Sequence, residues 1–235
     1  MSTRKVAVIT GASQGIGAGL VDAYRQIGYA VVANSRSIDR DEADDLAVVS
    51  GDISDPATAD RIIKTAVERF GRVDTVVNNA GVFIAKQFTD YTAADLDAMV
   101  DINLGGFFHL TQRAVPLMQQ AGGGHVVSIT TTLVESPLSV FPSALASLTK
   151  GGIASATRAL AIEYAAENIR FNAVSPGVIK TPMHPEETHE TLAGLHPLGR
   201  MGEIDDVARG VLYLEQSPFV TGEFLHVDGG QIAGH

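Results

Sequence analysis

A chain of 235 residues, 45% of them hydrophobic, can bury one substantial core, and an α/β sheet of this length commonly forms one domain, so a single domain over residues 1–235 is expected. Cysteine is absent, which excludes a disulfide framework, a thiolate metal site and a cysteine nucleophile, and fits a reducing compartment. The formal net charge of −10 without clustered Lys and Arg argues against a nucleic-acid partner. No apolar stretch is long enough to span a membrane or to form a signal-peptide core, so a soluble, cytoplasmic protein is expected.

In chain order, Lys5 to Thr10 is a continuous apolar, β-branched run, and similar short runs recur at Ala30 to Ala33, Ala47 to Val49, Thr75 to Val77 and Val126 to Ile129. Such runs read as strands buried on both faces of a parallel sheet. Between them lie amphipathic helical patterns at Gly17 to Ile27, Ala57 to Phe70, Ala93 to Gln119 and Ser143 to Ala166. Strand and helix alternate, which predicts a doubly wound, mostly parallel sheet of the Rossmann type in three αβα layers. The polar, acidic stretch Ser37 to Asp45 is too short for a full crossover helix, so a single helical turn or an irregular loop is expected at Asp39 to Asp45. Its acids read as a solvated face.

Directly after the first strand comes Thr10-Gly11-Ala12-Ser13-Gln14-Gly15-Ile16-Gly17, a glycine-rich turn that opens a helix. This chemistry suits an anion. Gly11 permits the tight turn, Gly15 lets backbone approach a pyrophosphate, Gly17 allows close helix packing, and the free amides at the helix start face negative charge. The same glycines would also serve a plain strand-to-helix turn.

The spacing Gly-x-x-x-Gly-x-Gly after a threonine resembles the signature of the short-chain dehydrogenase/reductase family, and further motifs follow in register: Asn78-Asn79-Ala80-Gly81, Asn103, Ser175-Pro176-Gly177 and Val227-Asp228-Gly229-Gly230. The resemblance extends over nearly the whole chain. It implies a nicotinamide dinucleotide lying along the glycine turn (Gly11, Ser13, Gln14, Gly15, Ile16, Gly17), with Asp52 and Ile53 flanking the adenine and Asn79, Ala80 and Gly81 lining the adenosine ribose side. Pro176, Gly177, Val178 and Thr181 would meet the nicotinamide, and residues 181–200 would form a lid over the substrate. At the end of the second strand stands Asn34-Ser35-Arg36, with Ser35 where an acidic residue would select NAD(H) and Arg36 offering a planar cationic fork to a 2′-phosphate. NADP(H) is therefore preferred, with NAD(H) the alternative.

The family pattern also implies a catalytic Asn at Asn103, a hydroxyl that polarises the substrate carbonyl at Thr131 or, next, Thr132, and Lys150, which would hold the ribose and lower the pKa of a tyrosine one helical turn earlier. That turn reads Ser143-Ala144-Leu145-Ala146-Ser147-Leu148-Thr149-Lys150, so Ala146 stands where the phenol would be. A positioned acid is worth about 10²- to 10⁴-fold in rate, so another group is needed to complete carbonyl reduction. Ser143 and Ser147 share a helical stripe with Ala146 and Lys150 but are short, weak acids. His184 or His189, in the loop after Thr181, is the better candidate, because imidazole titrates near neutrality. His109, His125 and His226 read as packing or solvent-facing, and Tyr91 and Tyr164 as structural.

The expected function is NADP(H)-dependent oxidation or reduction of a small alcohol or carbonyl compound. The alternatives are a dinucleotide-binding protein without redox turnover, or a lyase or isomerase using the same pocket. The resemblance further implies a homotetramer or homodimer built on the helices at 93–119 and 143–166 and on the last strand, Phe224 to Val227.

Overall fold

A computed structural model describes residues 4–234. Its centre is one seven-stranded sheet in the order β3-β2-β1-β4-β5-β6-β7, with every neighbouring pair parallel. The strands are β1 (Val6–Thr10), β2 (Ala30–Ser35), β3 (Leu46–Ser50), β4 (Thr75–Asn78), β5 (Gly124–Ile129), β6 (Ile169–Pro176) and β7 (Phe224–Val227). All five residues of β1 are buried, because helices cover both faces. That is why the strand reads as an unbroken apolar run rather than an alternating one. Chain order reverses between β1 and β4, and at such a switch point the loops beyond the strand ends diverge and leave a crevice.

Two apolar layers flank the sheet. On one face, α1 (Gly15–Gln26) and α6 (Ile204–Gln216) pack Leu20, Val21, Val207 and Val211 onto Ala7, Ile9, Val31 and Val77. On the other, α2 (Pro56–Phe70), α4 (Gly106–Ala121) and α5 (Ala144–Glu163) cover Val6, Val8, Val32, Val76 and Val126 with Ile62, Ala66, Leu110, Met118 and Ala161. Helix α2 starts where Asp55 accepts from the Ala57 amide at 2.9 Å with Pro56 behind it, and stops at Gly71 in the left-handed region. Among the described residues, no helix is long and apolar enough to cross a membrane.

The stretch Ser37 to Asp45 is the irregular alternative of the two expected, closed by a bridge between Ala43 and Leu46. Its acids are solvated as expected: Asp39, Asp41, Glu42 and Asp44 are exposed, and Asp45 is half-buried. Glu42 accepts from the Val48 amide at 3.2 Å and pairs with Arg69 at 3.0 Å, and Asp45 pairs with Arg25 at 2.9 Å, which draws both carboxyls below their ordinary range.

The helix expected from Ala93 to Gln119 is present but not α throughout. It divides into α3 (Ala93–Met99), a π-helical segment Val100–Gly105, and α4. A π turn widens the helix by one residue while the apolar face continues on either side, so periodicity alone does not betray it. Asn103 sits inside this segment, 2% exposed.

Candidate active site

Beyond the carboxyl ends of the strands lies a cavity of about 370 Å³, reaching from the ends of β2 and β3 across the glycine turn to the ends of β5 and β6. All the residues that the sequence assigned to the dinucleotide line it: Gly11, Ser13 to Gly17, Asn34 to Arg36, Asp52, Ile53, Asn79 to Gly81, Lys150, Pro176 to Val178 and Thr181. Thr131 and Thr132 line it too, and Asn103 does not.

The glycine turn is held from behind. Thr10 Oγ1 accepts from the amides of Asn79 at 3.1 Å and Ala80 at 3.0 Å, while Asn79 Nδ2 donates to the carbonyls of Thr10 at 2.9 Å and Gly11 at 3.2 Å. These bonds tie the end of β4 to the turn after β1. Gly11 and Gly15 take φ values of +65° and +57°, a region strained for any side chain. A Cβ on Gly17 would stand 2.1 Å from the Gly11 carbonyl oxygen, so that position admits no other residue without backbone movement. The first bond into α1 runs from the Ala18 amide to the Gln14 carbonyl, which leaves the amides of Gly15, Ile16 and Gly17 free at the positive end of the helix dipole. This concave row of donors suits a pyrophosphate.

At the β2–β3 end, Asn34 Nδ2 donates to the carbonyls of Val49 at 2.9 Å and Gly51 at 3.2 Å, so its amide clasps the strands together. Ser35 Oγ lies 3.0 Å from Ser13 Oγ. Arg36 is exposed and has no bonded partner among the described residues. Asp52 accepts from the Ser54 amide at 3.0 Å and its hydroxyl at 2.8 Å; the amide bond leads in holding its carboxyl below the ordinary range.

At the other end, Lys150 is half-buried, lines the cavity and donates through Nζ to the Ile129 carbonyl at 2.8 Å. Burial without a carboxylate partner pulls it down to about 8. Gly81 closes over it: a Cβ there would meet Lys150 Nζ at 3.0 Å and Asn103 Oδ1 at 3.1 Å. Asn103 itself faces backbone. Its Oδ1 accepts from the Val82 amide at 2.9 Å, and its Nδ2 donates to the Val82 carbonyl at 3.2 Å and to Thr149 Oγ1 at 3.1 Å. The side chain thus fixes the segment after β4 from behind the cavity wall.

Three threonines follow β5, and their commitments differ. Thr130 donates to the Val174 carbonyl at 3.1 Å and Thr132 to the Pro176 carbonyl at 3.4 Å. Thr131 Oγ1 accepts from the Leu133 amide at 3.3 Å, and its own hydrogen has no acceptor among the described residues. It is the hydroxyl of the three able to donate into the cavity.

Ala146 lines the cavity, with Met99, Leu145, Val82, Phe83, Ile84 and Tyr91 packed around it. The shared helical stripe does not bring the serines there. Ser147 Oγ turns to the Leu133 carbonyl at 3.1 Å, Ser143 is buried at the start of α5, and neither lines the cavity. Of the two histidines, only His184 reaches the cavity; His189 Nε2 donates to the His184 carbonyl at 3.0 Å. Burial, then the neighbouring His189, lowers the His184 imidazole below its ordinary value.

The remaining aromatic and basic residues have other tasks. Tyr91 OH donates to the Ile84 carbonyl at 2.8 Å, Tyr164 packs on Phe171, His125 is buried against Glu215, and His226 pairs with Glu135. Sequence reasoning missed an apolar wall of Phe83, Leu133, Leu138 and Phe141, and missed Gln231. The wall residues come from loops with no periodicity to flag them, and a glutamine after a Gly-Gly turn carries no signal of its own.

A family model described as enoyl-(acyl carrier protein) reductase matches residues 11–231. The chain is 32% identical to the 3-oxoacyl-(acyl-carrier-protein) reductase of Thermotoga maritima over 97% of this chain and 98% of that protein. It is 34% identical to the 3alpha-hydroxysteroid dehydrogenase of Mediterraneibacter gnavus, covering 97% of each. Two solved structures superpose closely. ElxO with NADP bound gives a TM-score of 0.92 at 28% identity, covering 99% of this chain and all (100%) of that one. The 3-ketoacyl-(acyl-carrier-protein) reductase of Brucella melitensis complexed with NADH gives 0.89 at 31% identity, covering 97% and 98%. Sequence, fold and glycine turn agree along the whole match, and the chain belongs to the short-chain dehydrogenase/reductase family.

Proposed function

We propose that this protein is an NADP(H)-dependent oxidoreductase that interconverts a carbonyl group and an alcohol on a small, largely apolar substrate. The observation that carries this reading is the single cavity joining Arg36 and the free amides of α1 to Lys150 and Thr131. The cradle fits a dinucleotide: Gly17 and Gly81 stand where a Cβ would strike backbone or Lys150, and three amides at the helix start have no protein acceptor. Bound there, the nicotinamide would supply or accept the hydride.

The residues of this chain divide the rest of the work. Thr131 donates a hydrogen bond to the substrate oxygen, and Lys150, an ammonium at neutral pH, holds the ribose hydroxyls and keeps positive charge beside the developing alkoxide. The proton at that oxygen is assigned to His184, the one imidazole of its loop that lines the cavity. Because burial lowers His184, the neutral ring prevails at pH 7; it takes the hydroxyl proton in alcohol oxidation, and the reverse reaction gains as pH falls. Exposed Phe108 on α4 and Leu148 and Ile162 on α5 support a homodimer or homotetramer built on those helices. The same reading takes the protein as soluble and cytoplasmic.

The test is titration with NADPH by fluorescence, followed by turnover over a panel of ketones and secondary alcohols. Loss of turnover in His184→Ala with unchanged NADPH affinity is expected; unchanged turnover removes His184 from the mechanism. Ala146 favours a second reading, in which the dinucleotide binds without redox turnover. Under it, NADPH binds, the panel stays silent, and Ala146→Tyr creates turnover.

A further inference from the structure

Among the buried polar side-chain atoms with no hydrogen-bond partner in the described residues is Gln231 Oε1. Gln231 is 2% exposed and lines the same cavity as Lys150 and Thr131. An amide oxygen enclosed without a donor is costly, and such groups persist in folded proteins chiefly where a ligand or an ordered water completes them.

The placement of this residue is rigid. Asp228 accepts from the Gly230 amide at 2.9 Å through one oxygen and from the Ile232 amide at 2.8 Å through the other, and the Gln231 amide donates to the Asp228 carbonyl at 3.2 Å. Gly230 turns with a φ of +91°, so the backbone on both sides of Gln231 is fixed and its carboxamide is the free polar element of the turn. Topology also sets which end of the cavity it faces. Val227, just before this turn, pairs with Pro176, at the opposite edge of the sheet from the β2 and β3 ends where Arg36 and Asp52 lie. It therefore stands on the Pro176 side of the cavity, away from Arg36 and Asp52.

We infer that Gln231 is a specificity-determining residue whose carboxamide oxygen accepts a hydrogen bond from a hydroxyl or N–H group on the substrate, away from the reacting carbonyl. The preferred substrates are then ketones or alcohols with an apolar body, held by Phe83, Leu138 and Phe141, that carry a second, donor group. A site that leaves a buried acceptor unpaired discriminates strongly against an analogue lacking the donor. This inference rests on the oxidoreductase reading of the cavity.

The test uses the NADPH-saturated protein and equilibrium binding, so that it reads even where turnover is absent. The probes are 4-phenylbutan-2-one and its 2-, 3- and 4-hydroxyphenyl derivatives, followed by quenching of bound NADPH fluorescence. At least one phenol is expected to bind about tenfold more tightly than the parent ketone. That advantage disappears in Gln231→Met, similar in size but without the acceptor, and survives in Gln231→Glu, which keeps it. NADPH affinity, unchanged in both variants, reports that each is folded. No advantage for any phenol, or an advantage that persists in Gln231→Met, overturns the assignment of Gln231 while leaving the dinucleotide site standing. Failure of the parent protein to bind NADPH overturns both.

Discussion

Replacing Arg36 with alanine is expected to weaken NADPH binding about 10- to 30-fold and to leave NADH binding nearly unchanged. Arg36 stands at the carboxyl end of β2, lines the cavity and has no bonded partner in the described residues, so its guanidinium is available to a 2′-phosphate. The residue before it, Ser35, is linked to Ser13 and puts no carboxylate where a phosphate would be repelled. The acid that feels the charge of Arg36 is Asp52, and its carboxylate is engaged by the Ser54 amide and hydroxyl rather than by the guanidinium. A hydrogen bond to a charged group contributes roughly 1.5–3 kcal/mol, and solvent exposure moves Arg36 to the low end of that range. At about 1.4 kcal/mol per tenfold, about 1.5–2 kcal/mol gives the stated factor. The assay is fluorescence titration with each reduced dinucleotide at low and high salt, where screening should shrink the NADPH effect and spare NADH. Ser35→Asp should move the preference towards NADH. Equal weakening of both dinucleotides in Arg36→Ala, or no weakening of either, refutes the reasoning.

Gly17→Ala places a Cβ 2.1 Å from the Gly11 carbonyl oxygen, so the turn must move. Dinucleotide affinity should fall by at least about 100-fold while the far-ultraviolet circular dichroism spectrum is kept, as one or more of the helix-start bonds to phosphate is lost. Lys150, drawn down to about 8 by burial, is cationic below that pH and loses its proton above it. Dinucleotide affinity should therefore decline above about pH 8, by at most tenfold per unit, and Lys150→Met should flatten that decline in a pH series of titrations. Glu215→Ala strips the acceptor from Tyr24 OH, Tyr29 OH, Thr75 Oγ1 and His125 Nδ1 at once. Chemical denaturation should show a loss of about 3–5 kcal/mol, the range for breaking a buried charged cluster. Burial pushes the Glu215 carboxyl up, but these hydrogen bonds outweigh it and bring it to about 2. Its contribution is thus complete above the unfolded value near 4.5 and lost as pH falls towards about 2.

What could be read from residues alone was whatever repeats or punctuates. Strands buried on both faces show as apolar runs, and the glycine turn shows because a left-handed φ and a 2.1 Å approach leave no alternative residue at Gly11 or Gly17. The part of the cavity around the glycine turn is made of such backbone features, and the residues read from the sequence there all line it. The substrate end is made of side chains from four separate loops, and there the reading thinned. The π segment hid because helical periodicity runs through it, yet it is what turns Asn103 towards Val82. Spacing put Ser143 and Ser147 on the stripe of Lys150, but only coordinates reveal that Ser147 turns to the Leu133 carbonyl. Gln231 had neither period nor motif; its interest lies wholly in a missing partner.

The two ends of the sheet show how one fold separates stability from chemistry. At the amino ends of the strands a carboxylate is buried, Glu215, and it is saturated: two phenols, a hydroxyl and an imidazole donate to it, and Arg170 donates to the carbonyls of Leu214, Glu215, Ser217 and Val220 beside it. Every polar group there finds its partner inside the protein, as a purely structural cluster requires. At the carboxyl ends the pattern inverts. The amides opening α1, the hydroxyl hydrogen of Thr131, the guanidinium of Arg36 and the oxygen of Gln231 all lack acceptors or donors, and Lys150 is half-buried without a counter-ion. The groups left incomplete line one continuous cavity, which is where a bound molecule can complete them.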